Sequence, residues 1–94
     1  MEQRSKEVAD LLKVLANENR LLILCELIRG PRTVGALNAV APGIGQSALS
    51  QHLAIFRAHG IVDCKKSGQN VTYRIADHRV EAIIETLKRQ YCDV

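Results

Sequence analysis

Apolar side chains recur every three or four positions near both ends of the chain, and this spacing predicts an amphipathic helix at each end. The first helix is predicted over about residues 5–15, and its apolar stripe consists of Val8, Leu11, Leu12 and Leu15. The last helix is predicted from His78 to about Cys92, behind a cap at Asp77. Its broader stripe consists of Val80, Ile83, Ile84, Leu87 and Tyr91. Either the chain's own core or the matching helix of a second copy must cover that stripe.

Two further helices are predicted in the first half of the chain. Residues 18–29 are apolar nearly all round, which indicates a helix buried at the centre of the fold. Asn17 is suited to cap this helix, and Gly30-Pro31 ends it. Thr33 can cap a short third helix that runs to about Val40.

A fourth helix is predicted from Gln46, after a turn at residues 41–45. Its apolar residues fall in one sector and face the core: Leu49, Leu53 and Phe56. Its other side carries only small or amide side chains, at Ser47, Ser50, Gln51 and Ala54. Such side chains permit close approach and hydrogen bonding to bases and phosphates, whereas a merely solvated face more often carries Lys and Glu. This pattern favours a helix that reads the major groove of DNA.

A basic β-hairpin is predicted after this helix. Gly60 precedes two β-rich segments, residues 61–66 and 71–75, and the four residues that join them include Gly68 and Asn70. Donor side chains cluster near its tip, including that of Arg74, and favour contact with phosphates over ordinary solvated charge. The predicted DNA-binding residues of helix and hairpin are Gln46, Ser47, Ser50, Gln51, His52, Arg57, Lys65, Lys66, Gln69 and Asn70. For His52, donation to a phosphate and packing against Phe56 are equally open.

Length, charge and composition narrow the class of protein. The 94 residues, 47% of them hydrophobic, suit one domain over 1–94 with a single small core. A net charge of +3 is compatible with nucleic acid as a partner but does not establish it. The sequence shows no membrane-spanning run and no signal peptide, so a cytoplasmic location with reduced thiols is expected. It also lacks a CxxC pair and any nucleophile, carboxylate pair or glycine loop suited to catalysis, so we expect no enzyme activity and no cofactor.

In this order, the predicted elements resemble the winged helix-turn-helix repressors of the ArsR/SmtB family over about residues 8–92. Four segments carry the resemblance: LKVLANENRLLIL at 12–24, SQHL at 50–53, GIV at 60–62 and VTYRI at 71–75. The resemblance implies a mainly α fold of order α-α-α-α-β-β-α. It also implies a homodimer, paired through the first and last helices, that represses transcription at an imperfect palindrome in promoter DNA. The turn at residues 41–45 is one residue longer than the family's usual turn.

Members of that family commonly release DNA when they bind a metal, at cysteines that begin the third helix or at Asp/His pairs on the last helix. Residues 31–37 contain neither Cys nor His. On the last helix, Asp77 matches an expected ligand, but Arg79 and Gln90 stand where imidazoles are needed. Asp77 is more economically a helix cap, so we expect no metal site, and a metal-responsive repressor is a minor alternative.

The cysteines suggest another signal. Cys25 and Cys92 resemble the pair in the persulfide-sensing branch of the family (SqrR- or BigR-like repressors). The resemblance implies that reactive sulfur species or oxidants join these thiols, through a disulfide or a polysulfide, and so release the operator. Alternatively, Cys25 is an ordinary small core residue and Cys92 an incidental thiol. Cys64 has no obvious partner and is structural or incidental.

Three functions therefore remain open at the level of sequence. The first is a homodimeric repressor that responds to reactive sulfur through Cys25 and Cys92. The second is a DNA-binding regulator without thiol sensing, such as an anti-silencer that competes with another regulator. The third is a protein-interaction module that acts through its apolar last helix, and a salt-dependent affinity for DNA would count against it.

Overall fold

Five helices surround a small antiparallel sheet in the computed structural model, which describes residues 2–92, with Cys92 in its backbone only. A short 3-10 turn at Glu2–Arg4 leads into the helices, which are α1 (Ser5–Leu15), α2 (Glu18–Leu27), α3 (Val34–Val40), α4 (Gln46–Ala58) and α5 (His78–Leu87). The strands are β1 (Arg32–Thr33), β2 (Val62–Ser67) and β3 (Asn70–Ile75), in the order β1-β3-β2. The predicted fold class, a mainly helical winged helix-turn-helix, is confirmed.

Three helices begin at the side-chain caps that the sequence predicts. Asn17 accepts a hydrogen bond from the backbone N–H of Arg20 at 3.1 Å, and Thr33 accepts one from Ala36 at 3.1 Å. Asp77 accepts one from the backbone of Arg79 at 2.8 Å. Each cap satisfies an N–H that has no partner within its helix.

The hairpin is tighter than predicted. Ser67 pairs with Asn70, so Gly68 and Gln69 alone form the turn in place of the expected four residues. Gly68 has a φ of +61°, which an L side chain rarely adopts and which a two-residue hairpin turn requires. The wing, residues 62–75, is therefore a hairpin paired up to its tip.

Two helix ends and one strand also differ from the sequence-based expectation. Helix α2 ends at Leu27 rather than Arg29, since the backbone N–H of Gly30 bonds to the Leu27 carbonyl in a tighter final turn. Helix α5 ends at Leu87 and continues as a π-helical turn, Lys88–Cys92. Strand β1 was not predicted, because two residues are too few to show an alternating pattern.

The core lies between α2, α4, α5 and the sheet. It contains the predicted inward residues of α4, residues of every other α-helix, and three residues outside the helices (Ile44, Ile61 and Val62). The full set is Val14, Leu15, Ile23, Leu24, Leu27, Leu37, Ile44, Leu49, Leu53, Phe56, Ile61, Val62, Val80 and Ile84. Helix α2 is not buried all round as expected, since Leu22 remains 51% exposed. The stripes of α1 and α5 are only partly covered, and Leu12, Leu87 and Tyr91 remain exposed.

Candidate nucleic-acid interface

Helix α4 separates its side chains into two distinct faces. Leu49, Leu53 and Phe56 are at most 1% exposed and belong to the core. The opposite face is open to solvent along the whole helix, and it consists of Gln46, Ser47, Ser50, Gln51, Ala54 and Arg57. Five predicted DNA-binding residues of this helix therefore lie together on one exposed surface.

The end of α4 is fixed by its backbone. The N–H of Ile61 bonds to the Phe56 carbonyl at 2.9 Å, and the N–H of Gly60 bonds to the Arg57 carbonyl at 3.0 Å. Gly60 has a φ of +70°, so this is the left-handed glycine ending known as a Schellman motif. Ile61 and Phe56, the hydrophobic pair that accompanies such an ending, are both fully buried. This ending fixes where α4 stops and where the wing begins.

His52 lies at the margin between the two faces of α4 and is half-buried. Its Nδ1 accepts a hydrogen bond from the Nε of Arg20, on α2, at 3.1 Å. Burial and, secondarily, the positive charge of Arg20 lower the pKa of His52 below its ordinary 6.5. The ring is therefore neutral at physiological pH, and an imidazole that accepts at Nδ1 carries its proton on Nε2.

Sequence reasoning missed Arg20 entirely. The only signal was a cation in the first turn of an otherwise apolar helix, and that signal does not identify a partner 32 positions away. The two interpretations offered for His52, a phosphate contact and packing against Phe56, both left out this hydrogen bond.

The wing presents exposed donors at its tip. Lys65, Lys66, Gln69 and Asn70 are all exposed, as their prediction requires. Neighbouring residues of a strand point to opposite faces, so the two lysines lie on opposite sides of the wing. The face of the wing that carries Lys65 borders an open groove of about 700 Å³.

Arg74 is engaged within the wing. Its Nε donates to Asp63 at 2.7 Å, and its Nη2 donates to the same carboxylate at 3.3 Å. This hydrogen bond raises the pKa of Arg74 and lowers that of Asp63. The charge of Arg74, which the sequence suggested as a phosphate donor, is thus largely offset by Asp63.

The wing and α4 are held against each other through Ile61. Its carbonyl accepts a hydrogen bond from the N–H of Ala76 at 2.8 Å, just beyond the last strand. Helix α4 also packs directly on β2. The exposed face of α4 and the basic tip of the wing are therefore parts of one packed unit.

The candidate sensing thiols are only partly described. Cys25 is half-buried on α2 and lines a groove of about 220 Å³ with Leu22, Val40 and Lys88, among others. The side chain of Cys92 lies outside the described residues, so its predicted proximity to Cys25 stays a prediction. Cys64 is half-buried in β2, opposite Tyr73.

Asp77 is engaged as a cap and as an ion-pair partner. Besides the backbone of Arg79, it accepts hydrogen bonds from the Arg79 guanidinium at 3.0 and 3.2 Å, which hold the pKa of its carboxyl below the ordinary 3.8. Among the residues that the structure describes, no three His, Cys, Asp or Glu side chains come together as metal ligands would. Nor does any helix in that part of the chain have the length and apolar character to cross a bilayer.

Comparison with known proteins identifies close relatives of this chain. The family model described as "Bacterial regulatory protein, arsR family" matches residues 17–63. The chain is 46% identical over 92 residues to the transcriptional activator HlyU of Vibrio cholerae, which covers 98% of this chain and 84% of that protein. The solved structure of reduced HlyU from that organism superposes with a TM-score of 0.90, at 46% identity and coverage of 98% and 96%. The transcriptional repressor BigR of Xylella fastidiosa also gives a TM-score of 0.90, at 37% identity and coverage of 98% and 93%.

Proposed function

Since this chain belongs to the arsR family of bacterial regulatory proteins, and is thus a DNA-binding transcriptional regulator and not an enzyme, we propose that it is a homodimeric repressor controlled by thiol oxidation. In this proposal it occupies promoter DNA in the cytoplasm and leaves it when Cys25 and Cys92 are joined. The observation that carries the DNA-binding part is the exposed small-polar face of α4 beside the basic tip of the wing.

Helix α4 is the proposed reading element. Its 13 residues correspond to about 20 Å of helix, and a major groove about 12 Å wide admits such a helix. The amide and hydroxyl side chains of Gln46, Ser47, Ser50 and Gln51, with His52 at the margin, are assigned to bases and nearby phosphates. Phosphate contacts are assigned to Arg57 on the helix and to Lys65, Lys66, Gln69 and Asn70 on the wing.

A second copy of the chain is the proposed cover for α1 and α5. Leu12 on α1, Leu87 on α5 and Tyr91 just beyond it expose large apolar surfaces, and Tyr91 is 82% exposed. A groove of about 400 Å³ lies between the two helices and includes Val8 and Ile83 in its lining. Burial of this surface in a symmetric dimer places two α4 helices on one side of the duplex. Such an arrangement matches an imperfect palindrome with half-sites about 34 Å apart.

The proposed switch begins at Cys25. Lys88, four residues before Cys92, lines the same groove as Cys25, which supports a position for Cys92 near this side of α2. The groove has a mixed lining: Leu22 and Val40 are 51% and 56% exposed and give it an apolar part, and Glu26, Arg29 and Lys88 give it a charged part.

In the proposed switch, a persulfide is the oxidant. The Cys25 thiolate attacks the outer sulfur of a low-molecular-weight persulfide, which leaves a Cys25 persulfide and releases the donor's thiol. The Cys92 thiolate then attacks the Sγ of Cys25 and expels the outer sulfur as hydrosulfide, so a Cys25–Cys92 disulfide forms. Two cysteine thiols are oxidised, and the transferred sulfur is reduced. The new link strains α2 against the end of α5 and alters the angle between protomers.

One observation favours a second candidate function, positive regulation without thiol sensing. The relative HlyU, 46% identical over 92 residues, is a transcriptional activator. A protein that displaces another regulator from the same promoter activates without any change in its own fold. A promoter fused to a reporter distinguishes the two: deletion of the gene for this chain raises expression if the chain represses, and lowers it if the chain activates.

The sensing proposal is tested with a DNA duplex selected by the protein itself from a random-sequence library. Fluorescence anisotropy is measured before and after treatment with a persulfide donor, for the native chain, Cys25→Ser and Cys64→Ser. We expect treatment to weaken binding at least tenfold in the native chain and in Cys64→Ser, but not in Cys25→Ser. Mass spectrometry should locate a link between residues 25 and 92. Verified linkage with unchanged affinity would remove the sensing role and leave DNA binding intact.

A further inference from the structure

We propose that Arg20 is a positioning residue for DNA recognition, which fixes His52 as a hydrogen-bond donor and ties the reading helix to the end of α1. The inference rests on the proposed reading of DNA by α4 and assigns a role to a residue outside that helix. Arg20 itself belongs to the first turn of α2.

One guanidinium connects three helices. The Nη1 of Arg20 donates to the Val14 carbonyl of α1 at 2.9 Å, and its Nε donates to the Nδ1 of His52 on α4 at 3.1 Å. The backbone of Arg20 is held separately, by the Asn17 cap at 3.1 Å. Both side-chain hydrogen bonds are partly buried.

The Val14 carbonyl explains why a guanidinium suits this position. It lies in the last turn of α1, where carbonyls have no partner within the helix and the helix dipole favours a cation. The donors of a guanidinium lie in one rigid plane. When Nη1 is anchored on Val14, the direction of Nε towards His52 is therefore set, whereas a lysine ammonium has no second donor at a fixed angle.

The consequence for His52 is chemical. Because Nδ1 accepts from Arg20, the proton resides on Nε2, which points away from Arg20. His52 is half-buried at the margin of the exposed face, and in this proposal its Nε2–H is the donor that it offers to DNA. A donor selects acceptors on base edges, such as the O6 and N7 of guanine, and rejects the amino groups of adenine and cytosine. Without Arg20, the ring can adopt the other tautomer and offer an acceptor.

The first test is the nitrogen-15 spectrum of the His52 imidazole in the full-length chain at neutral pH. The expected signature is an unprotonated Nδ1 and a protonated Nε2 in the native protein, and a mixture of tautomers in Arg20→Met. A native protein that already shows the mixture, or the proton on Nδ1, overturns the inference without any need for a variant.

The second test uses the selected duplex and single-base variants of it. Arg20→Met should lose about fivefold to tenfold of its discrimination at one position per half-site, as expected for one neutral hydrogen bond. His52→Ala should lose discrimination at the same position, with no additional loss in the double variant. Arg4→Met, which removes an equally charged but exposed side chain, should discriminate like the native protein.

The outcomes separate this inference from the proposed function. If the native chain shows no preference for its selected duplex, DNA reading itself fails, and the role of Arg20 in recognition fails with it. If the native chain discriminates and Arg20→Met discriminates equally well, only the positioning role is overturned. A folded Arg20→Met that weakens binding to every duplex alike also overturns it, because that pattern indicates a purely structural residue.

Discussion

The Nε of Arg32 lies 2.9 Å from the Oε2 of Glu26, and this ion pair joins strand β1 to helix α2. Both side chains are well shielded, at 30% and 16% exposure. On its other side, β1 pairs with β3, where Arg32 is opposite Tyr73. Strand β1 is thus held by its backbone pairing with β3 of the wing and by the ion pair between Arg32 and Glu26 of α2.

Removal of the Glu26 carboxylate should destabilise the fold. In Glu26→Gln, the Arg32 guanidinium stays partly buried without a counter-charge, and we expect the free energy of unfolding to fall by about 1–2 kcal/mol. Urea denaturation monitored by circular dichroism measures the change. Glu2→Gln removes the same charge from an exposed position and should stay within about 0.5 kcal/mol of the native protein. Equal losses in both variants would show that the ion pair contributes nothing.

The glycine that ends α4 permits a matched comparison. Gly60→Ala forces a side chain into a left-handed conformation and should cost about 1–2 kcal/mol, although the added Cβ meets nothing within 4 Å. Gly43 is equally open but does not have that backbone conformation, so Gly43→Ala should be neutral or slightly stabilising. Thermal unfolding should show a fall of several degrees for the first variant only. If both variants unfold at the native temperature, the conformation of Gly60 is not required.

Asp77 should make stability depend on acid pH. Its hydrogen bond to Arg79 lowers the pKa of the folded carboxyl below 3.8, so its contribution is complete above that value. As the pH falls below 3.8 the folded carboxylate becomes protonated and the contribution is lost. Asp77→Asn should therefore be less stable than the native protein at about pH 6, with the gap closing towards about pH 2. The free energies of unfolding are measured by urea denaturation at both pH values. A difference between the two proteins that does not change with pH would contradict this prediction.

The wing lysines should determine part of the salt dependence of DNA binding. If Lys65 or Lys66 neutralises a phosphate, its replacement by alanine should reduce the slope of log affinity against log salt by about 1. Lys6→Ala should leave the slope unchanged, because Lys6 lies on α1 and is paired with Asp10 at 2.9 Å. Anisotropy titrations at several salt concentrations give all three slopes. If both variants keep the native slope, neither lysine neutralises a DNA phosphate.

Features that depend on neighbouring residues could be predicted from the sequence. The caps at Asn17, Thr33 and Asp77 and the two faces of α4 arise from spacings of two to four residues, and the structure confirms them. Features that depend on distant pairing could not be predicted. Strand β1 exists because it meets β3 across the fold, and the Arg20–His52 bond joins positions 32 residues apart.

In the candidate site, too, features set by neighbouring residues could be predicted, and features set by pairing between distant residues could not. Exposure of the predicted DNA-binding residues follows from helical periodicity and from position at a turn, both of which are local. The engagement of Arg74 by Asp63 follows from cross-strand register, since the two residues are direct partners between β2 and β3. The strand ends expected from the sequence, Lys66 and Val71, are partners in the same register, so the sequence was consistent with this pairing although it did not predict the contact between Arg74 and Asp63.

The three-stranded sheet has a mechanical consequence for operator choice. Because β1 directly precedes α3 and pairs with β3, the wing cannot swing independently of the helices that present α4. Each subunit of the proposed dimer therefore contacts DNA as one rigid unit. Binding to half-sites with a shorter or longer spacing therefore requires flexing of the dimer interface or bending of the duplex.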